Sequence, residues 1–233
     1  MAFEFKTFKV KLIRTALLIF LPLLFGCTQK VNVKDEDVCP PPFRDICITG
    51  NVTIELRTNR GSITLLVDGK SAPVTAGNFV DLVKRGVFDG TIFHRVVKQP
   101  APFVVQGGDP FSKLPNSSQT KSWTGNFIDE ESGQARFIPL EIKLKGEKFP
   151  RYGSLVSNPN ELAQLELSHE KGSISMARSQ ALNSASSQFY FALRSLPELD
   201  GRYAVFGRVL KGIDVIDRIN QDDKILKATV LVN

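Results

Sequence analysis

The sequence predicts a mainly β protein built on a closed, eight-stranded antiparallel β-barrel with two flanking α-helices. Three observations support this fold class. Short runs of alternating apolar and polar residues recur from residue 52 onward, which is the period-two pattern of half-buried strands. Only two segments have helical spacing, and strands do not alternate with helices as they would around a parallel sheet. Closing the sheet would also remove the exposed edge strands of an open one.

The first two strands are predicted to form a hairpin. Residues 52–58, Val-Thr-Ile-Glu-Leu-Arg-Thr, alternate strictly between apolar and polar side chains, and residues 62–67 resume the pattern. Residues 59–61, Asn-Arg-Gly, lie between them and have the composition of a tight turn. Two alternating runs separated by such a turn indicate antiparallel neighbours.

A helix follows this hairpin. Residues 76–85 place apolar side chains on one helical face, and Thr75 is predicted to cap the N-terminus of this helix. Gly86 is predicted to end it, because glycine is common just after the last helical residue. The second helix is predicted at residues 213–219, where isoleucine and valine recur at helical spacing.

The remaining strands are short and bring the predicted total to eight. They are rich in Val, Ile, Phe and Tyr, the residue types that favour strands. They are predicted at residues 91–97, 103–106, 173–177, 188–193, 204–209 and 225–232.

Residues 110–171 interrupt the strand pattern and form an inserted excursion within a domain predicted to span residues 51–233. The excursion is rich in Pro, Gly, Ser and Asn, yet it also contains apolar side chains. A structureless loop of this length is uncommon in a compact domain. We therefore expect the excursion to be partly ordered and to pack on the domain.

The N-terminus has the organisation of a bacterial export signal. Basic residues precede an apolar run at residues 15–25, which is too short to span a bilayer comfortably. The following Leu-Phe-Gly-Cys sequence resembles a lipobox, so residues 1–26 are predicted to be a signal peptide of the lipoprotein type. Cys27 is then the predicted lipidation site. The alternative is a plain signal peptide or an uncleaved anchor, in which Cys27 has no special role.

Residues 27–50 are predicted to be a tether and linker that ends in a clamp on the domain. This segment is polar first and then Pro-rich, and it contains Cys39 and Cys47. An exported protein can oxidise such a pair. A disulfide and two free thiols remain equal alternatives, because the sequence does not give the Cβ geometry that a disulfide requires.

Charge and composition argue against a nucleic-acid partner. The formal net charge is +6, but residues 1–26 contain four basic residues and one acidic residue and hold half of it. No downstream cluster of Lys and Arg has the interleaved aromatic residues that a base-stacking platform needs. The two His and three Cys are not spaced as a zinc site, so no metal is predicted.

Five sequence blocks in one order carry a resemblance to a known family. The blocks are Phe-His-Arg-Val-Val at 93–97, Phe-Val-Val-Gln-Gly-Gly-Asp at 103–109, Gly-Ser-Ile-Ser-Met-Ala at 172–177, Ser-Gln-Phe-Tyr at 187–190 and Leu-Asp-Gly-Arg-Tyr-Ala-Val-Phe-Gly at 199–207. Together they resemble the core of the cyclophilin-type peptidyl-prolyl cis-trans isomerases. The resemblance covers about residues 52–233 apart from the excursion, and several long blocks in order are more specific than one short motif.

The resemblance implies a catalytic set of Arg95, Phe103 and Gln106. The prolyl amide resists rotation with a barrier of about 18–20 kcal/mol, because nitrogen shares its lone pair with the carbonyl. A fixed donor such as Arg95 would bind the twisted transition state better than either planar form. Gln106 would hold the guanidinium or bind the substrate backbone. The implied substrate-binding residues are Val104, Ala177, Arg178, Gln188, Tyr190, Leu199 and Tyr203. Rotation about this bond needs no cofactor, and none is predicted.

The chain departs from the usual family pattern at several of these positions. Val104 stands where the family usually has Met, and Tyr203 stands where many eukaryotic members have His. Arg178 replaces a frequent Asn. The turn at residues 98–102 is longer than usual and precedes Phe103 directly.

These inferences predict an isomerase of X-Pro bonds that assists the folding of exported or membrane-proximal polypeptides. The protein is predicted to be a monomer, anchored by lipidated Cys27 on the extracytoplasmic side of a bacterial membrane. The excursion is predicted to extend the groove wall and to select protein clients without supplying catalytic groups. The alternative is a cyclophilin-fold binding module or assembly chaperone with little or no turnover. Convergence of Arg95, Phe103 and Gln106 around one open apolar groove would favour the isomerase.

Overall fold

The structure is a computed structural model of the chain, and it describes residues 38–114 and 124–231. The predicted signal peptide, Cys27 and the first part of the tether lie outside the described residues. Within the described ranges, every helix is too short or too polar to cross a membrane.

Eight strands form one antiparallel sheet, as the alternating patterns predicted. The ten strands of the described chain are β1 (Asn51–Thr58), β2 (Gly61–Asp68), β3 (Arg95–Val97), β4 (Val104–Gly107), β5 (Glu141–Ile142), β6 (Arg151–Tyr152), β7 (Ser173–Met176), β8 (Phe189–Ala192), β9 (Val205–Lys211) and β10 (Ile225–Leu231). The large sheet has the order β10-β1-β2-β9-β7-β8-β4-β3, whereas β5 and β6 form a separate two-stranded ladder. The predicted hairpin is β1 and β2, which pair in continuous register.

The sheet is curled and incompletely closed, which corrects the predicted closed barrel. The edge strands β3 and β10 form no ladder with each other. Instead, the irregular segment before β3 bridges the gap through single hydrogen bonds: Phe93 N donates to Asp223 O at 2.8 Å, Asp222 N to Phe93 O at 3.0 Å, and Ile225 N to Thr91 O at 2.8 Å. Residues 91–94 are buried and form only an isolated bridge between Ile92 and Lys224, so the predicted strand at 91–97 is regular only over its last three residues.

In the described residues, three α-helices accompany the sheet: α1 (Pro73–Lys84), α2 (Pro159–Leu162) and α3 (Ile213–Arg218). The helices α1 and α3 are the two predicted ones, and α2 is a short addition within the excursion.

The prediction that Thr75 caps α1 is wrong. The helix begins earlier, at Pro73, and Ala72 at the N-cap position offers no capping side chain. Pro73 suits the first helical position because it has no amide hydrogen to satisfy. The amides of Val74 and Thr75 donate instead to the carboxylate of Glu141, at 3.1 and 2.7 Å. A residue of the excursion therefore caps the helix from a distance along the chain.

The helix α1 packs against the sheet through a buried aromatic cluster. The ring of Phe79 lies 4.9 Å from that of Phe88, 5.3 Å from that of Phe189 and 5.0 Å from that of Phe206, measured between centroids. All four side chains are fully buried. This aromatic cluster fixes β8 and β9 against the helix, and the outward faces of β4 and β8 then become available to a ligand.

Residues 38–50 pack on the domain. Cys39 and Cys47 form a disulfide, which resolves the alternative that the sequence left open. Ile46 and Cys47 lie against the core. The backbone of Ile46 approaches Gly77 in α1 so closely that a Cβ atom at this position would collide with it. A glycine in the middle of α1 is therefore required by this contact.

The described part of the excursion is ordered by its own small core and by ties to the main sheet. The core is an apolar cluster of Leu140, Ile142, Leu144, Val156 and Leu165, which packs on Ala204 just before β9. Ile138 belongs to the main core, and its amide donates to the carbonyl of Ala185 at 2.8 Å. Arg136 forms a salt bridge with Asp81 of α1 at 2.6 Å. The excursion thus packs along α1 and along the segment before β8.

Candidate active site

An open pocket of about 180 Å³ lies on the sheet where β3, β4 and β8 meet. It contains the three predicted catalytic residues and every predicted substrate-binding residue except Gln188. Its lining residues are Arg95, Phe103, Val104, Gln106, Ala177, Arg178, Tyr190, Leu199 and Tyr203. We call this cavity the prolyl pocket, after the substrate that the sequence blocks predict for it.

Strand register brings the polar residues of the prolyl pocket together. Arg95 of β3 pairs with Gln106 of β4, and Gln106 pairs with Tyr190 of β8. Side chains at paired positions lie on the same face of a sheet. Arg95 Nη1 donates to Gln106 Oε1 at 3.4 Å, and the guanidinium carbon lies 5.8 Å from the ring centre of Phe103. Arg95 is otherwise exposed, so its remaining donors are available to a ligand.

The floor of the prolyl pocket is apolar. Val104 and Tyr190 are buried side by side with Ala192 and Leu196. Phe103, Ala177, Leu199 and Tyr203 pack against this cluster from the rim. The rings of Tyr190 and Tyr203 form a T-shaped contact with 6.0 Å between their centroids. An apolar surface of this kind lowers the local dielectric and strengthens the field of the nearby arginine.

The longer turn at residues 98–102 leaves Phe103 in the prolyl pocket. Lys98 Nζ donates to the carbonyls of Asp217 and Ile219 at 2.7 and 2.6 Å, which ties the turn to the end of α3. Phe103 N donates to the carbonyl of Val97 at 2.9 Å, which closes the turn. The extra residues project from the sheet without moving the aromatic ring away from Arg95.

Gln188 lies behind the prolyl pocket in a hydrogen-bond relay. Gln106 Nε2 donates to Gln188 Oε1 at 3.1 Å, and Gln188 Nε2 donates to Asp109 Oδ2 at 3.1 Å. Asp109 is fully buried and also accepts from the amides of Phe111 and Gly125, at 2.8 and 3.0 Å. No role for Asp109 could be predicted from the sequence, because its partners are brought together only by the path of the excursion.

A second buried network supports the floor from below. His169 Nδ1 lies 2.7 Å from Asp200 Oδ1, and His169 Nε2 lies 2.9 Å from the hydroxyl of Tyr190. When the proton on Nδ1 faces the Asp200 carboxylate, Nε2 is the acceptor for a hydrogen bond from the Tyr190 hydroxyl. Burial raises the pKa of Tyr190, so the hydroxyl remains a donor. His169 lies in an irregular segment, and its side chain is buried under the pocket.

Arg178 forms part of the rim. Its Nε and Nη2 atoms both donate to the carbonyl of Arg202, at 3.0 and 2.7 Å, and its Nη1 donates to the carbonyl of Ser179 at 2.9 Å. The guanidinium carbon lies 4.8 Å above the ring centre of Tyr203. This residue is therefore held at the edge of the pocket by its neighbours.

The fold and the pocket define a cyclophilin-like protein, and comparison with known families agrees. The family model for cyclophilin type peptidyl-prolyl cis-trans isomerases (CLD) matches residues 53–232. The chain belongs to this family, as its sequence blocks predicted.

Several curated relatives are similar over most of the chain. A protein of Synechocystis named as a thylakoid lumen peptidyl-prolyl cis-trans isomerase is 38% identical over 194 residues, which cover 79% of this chain and 48% of that protein. A chloroplastic isomerase of Arabidopsis thaliana is 38% identical over 218 residues, covering 88% and 42%. The chain thus spans just under half the length of these two relatives. An isomerase of Helicobacter pylori is 34% identical over 194 residues, covering 82% of this chain and 89% of that protein.

Solved structures show the same fold. The crystal structure of a cyclophilin-type isomerase from Cryptosporidium parvum superposes with a TM-score of 0.57 at 23% sequence identity. The match covers 78% of this chain and 99% of that chain.

Proposed function

We propose that this protein catalyses the cis-trans isomerisation of X-Pro bonds in polypeptide clients. The observation that carries this proposal is the convergence of Arg95, Phe103 and Gln106 on one open pocket with an apolar floor. This is the arrangement that favours an isomerase over a binding module with the same fold. A module that only captured proline would need the apolar floor but no fixed donor beside it.

The geometry suggests how the rotation is accelerated. The proline ring rests on the floor formed by Phe103, Val104 and Tyr190, which leaves the flanking amide beside Arg95. As the amide twists, the lone pair localises on the prolyl nitrogen, and the guanidinium donates a hydrogen bond to it. This interaction is weak in both planar states and strong in the twisted one, so it lowers the barrier. Gln106, itself held by Gln188, keeps the guanidinium in place.

We further propose that the protein works outside the cytoplasm, held to a membrane by a lipid on Cys27. The leader and the Leu-Phe-Gly-Cys sequence support this, and so does the Cys39–Cys47 disulfide, because disulfides persist in oxidising compartments. The locations in the names of the Synechocystis and Arabidopsis relatives, a thylakoid lumen and a chloroplast, are compatible with a protein that leaves the cytoplasm.

The excursion is proposed to extend the groove and to contact protein clients. Phe137 lines a cavity of about 440 Å³ that adjoins the prolyl pocket at Gln106. Leu155 lines another of about 490 Å³ that adjoins it at Tyr203. Both excursion side chains are about half exposed, at 43% and 51%. Exposed apolar residues on either side of a pocket suit contact with a chain longer than a dipeptide.

A protease-coupled assay on a small proline peptide tests the isomerase proposal. The full-length protein is expected to accelerate isomerisation, and Arg95→Ala is expected to lose about 10²–10³ in kcat/KM, as for the loss of one preorganised donor. Arg57→Ala is the matched control, because Arg57 is exposed on β1 away from the pocket. A folded wild-type protein that binds the peptide without accelerating isomerisation would support the binding module instead.

Mass spectrometry of the native protein tests the anchor. The expected mature chain begins at Cys27 and carries a diacylglyceryl group, and Cys27→Ser is expected to release the protein from membranes. An unmodified Cys27 or an intact leader would refute the lipid anchor without affecting the isomerase proposal.

A further inference from the structure

The prolyl pocket and the two cavities that adjoin it form one groove. The charged side chains described along this groove are all positive. The cavity beside Phe137 and the cavity beside Leu155 both adjoin the prolyl pocket, and Arg178 lines all three. Among the described residues that line these cavities, Arg95, Arg178 and Arg202 are the charged ones, and no aspartate or glutamate is present. The groove therefore has one sign of charge.

The guanidinium of Arg178 is fixed before any ligand arrives. It makes four hydrogen bonds to backbone carbonyls: two to Arg202, one to Ser179 at 2.9 Å and one to Gln180 at 3.2 Å. It also lies over the ring of Tyr203. A guanidinium has five N–H donors, so one hydrogen on Nη2 is left for an external acceptor. Because the Arg178 side chain is already fixed, binding a carboxylate here would cost little further conformational entropy, and this favours binding.

The charges of Arg178 and Arg202 are not neutralised by the domain. Neither arginine lies within salt-bridge distance of a carboxylate in the described residues. Asp200 is near in sequence, but its Oδ1 atom faces His169 Nδ1 at 2.7 Å and it forms no salt bridge with either arginine. In contrast, Arg194 on the nearby surface pairs with a glutamate at 2.6 Å. Uncompensated cations along a cleft attract an anionic ligand.

We propose that this groove selects clients that carry an aspartate or glutamate close to the isomerised proline, with Arg178 and Arg202 as the specificity-determining residues. The proposal rests on the isomerase function proposed above and adds the chemistry of the preferred client. The cavity with Leu155 and Arg202 shares Arg178 and Tyr203 with the prolyl pocket. Because the two cavities adjoin, residues that flank the proline in an extended client, each advancing about 3.3–3.6 Å, are the ones that contact Arg178 and Arg202.

Paired peptides test the selectivity. Each pair has the same sequence and differs only in Glu or Gln two residues before, or two residues after, the proline. With the Glu residue on at least one side of the proline, the full-length protein is expected to prefer the Glu peptide by about fivefold in kcat/KM at low ionic strength. This is the size of effect expected for two partly exposed ion pairs. The preference should reside in KM, and screening should largely remove it in about half-molar salt.

Variants assign the preference to the two arginines. In the Arg178→Gln/Arg202→Gln double variant the ratio of the two kcat/KM values is expected to fall to about one. Any general loss of activity cancels in this ratio. Arg202→Gln alone leaves the packing of Arg178 on Tyr203 in place and should lower the preference by about half on a logarithmic scale, if the two contributions add. Arg57→Gln on β1 is the control and should keep the full ratio.

The possible failures can be told apart. Equal kcat/KM for the Glu and Gln peptides at low salt in the wild type, or a preference that survives in the double variant, overturns the selectivity. If neither peptide is turned over, the isomerase proposal fails, and calorimetry on the same pairs then decides the selectivity. Tighter binding of the Glu peptide supports it, whereas equal binding or no binding of either peptide overturns it.

Discussion

The prolyl pocket and the excursion are built by different means. The pocket takes Arg95, Gln106 and Tyr190 from neighbouring strands, where register alone puts them on one face. The excursion has little regular structure, and it is held by single long-range contacts such as Glu141 on the amides of α1 and Arg136 on Asp81. The pocket residues are therefore placed by a repeating pattern, whereas the excursion residues are placed one contact at a time.

This difference predicts how mutations in the two regions act. A pocket residue such as Arg95 is exposed and makes few internal contacts, so replacing it removes chemistry and leaves stability intact. An excursion residue such as Glu141 is buried and satisfies backbone groups elsewhere, so replacing it removes stability first. Mutations in the pocket are thus expected to lower catalytic activity, and mutations in the excursion are expected to lower stability.

The largest stability effect is expected at Glu141. Glu141→Ala leaves the amides of Val74 and Thr75 unpaired in a buried place and opens a small void. Each unpaired buried amide is costly, and we expect a loss of about 2–4 kcal/mol in the free energy of unfolding. Chemical denaturation measures this loss, and Glu130→Ala, at an exposed position of the excursion, is the control. A change below about 0.5 kcal/mol, the usual range for surface substitutions, would show that α1 does not depend on this cap.

A smaller effect on activity is expected at Gln188, which joins the two regions. Gln188→Ala removes the partner that holds Gln106 and leaves Asp109 with one fewer donor. Loosening of Gln106 should reduce kcat/KM on a small proline peptide by about tenfold, which corresponds to about 1.4 kcal/mol. Gln164→Ala is the control, because Gln164 is exposed and lines neither the prolyl pocket nor the cavities that adjoin it. If kcat/KM is unchanged while the protein stays folded, the relay is only structural.

The smallest effect is expected for the exposed apolar residues of the excursion. Phe137→Ser and Leu155→Ser should leave the turnover of a small peptide unchanged, because neither residue lines the prolyl pocket. On a protein whose refolding is limited by proline isomerisation, each should lower kcat/KM by about threefold through lost apolar contact. Leu210→Ser, on the exposed part of β9, should change neither activity. An equal loss on both substrates would place these residues in the catalytic site instead.

The same difference explains what could be predicted from the sequence. The strands, the two main helices and all the residues that line the prolyl pocket follow from alternating patterns and from blocks typical of one family. The cap on α1 could not be predicted, because Thr75 satisfied a local rule while the true partner, Glu141, lies 66 residues away. Asp109 and His169 were missed for the same reason, since a buried polar residue in an irregular segment has no periodicity to reveal its partners.

The separation of catalysis from stability is tested most directly by measuring both properties in two variants. Arg95→Ala and Glu141→Ala are compared with the wild type for kcat/KM on one small proline peptide and for the free energy of unfolding. We predict that Arg95→Ala loses about 10²–10³ in kcat/KM at unchanged stability. Glu141→Ala should lose stability while its folded fraction keeps kcat/KM within about threefold, since the two sites share no hydrogen bond. Undiminished turnover in folded Arg95→Ala would contradict the assignment of catalysis to the prolyl pocket.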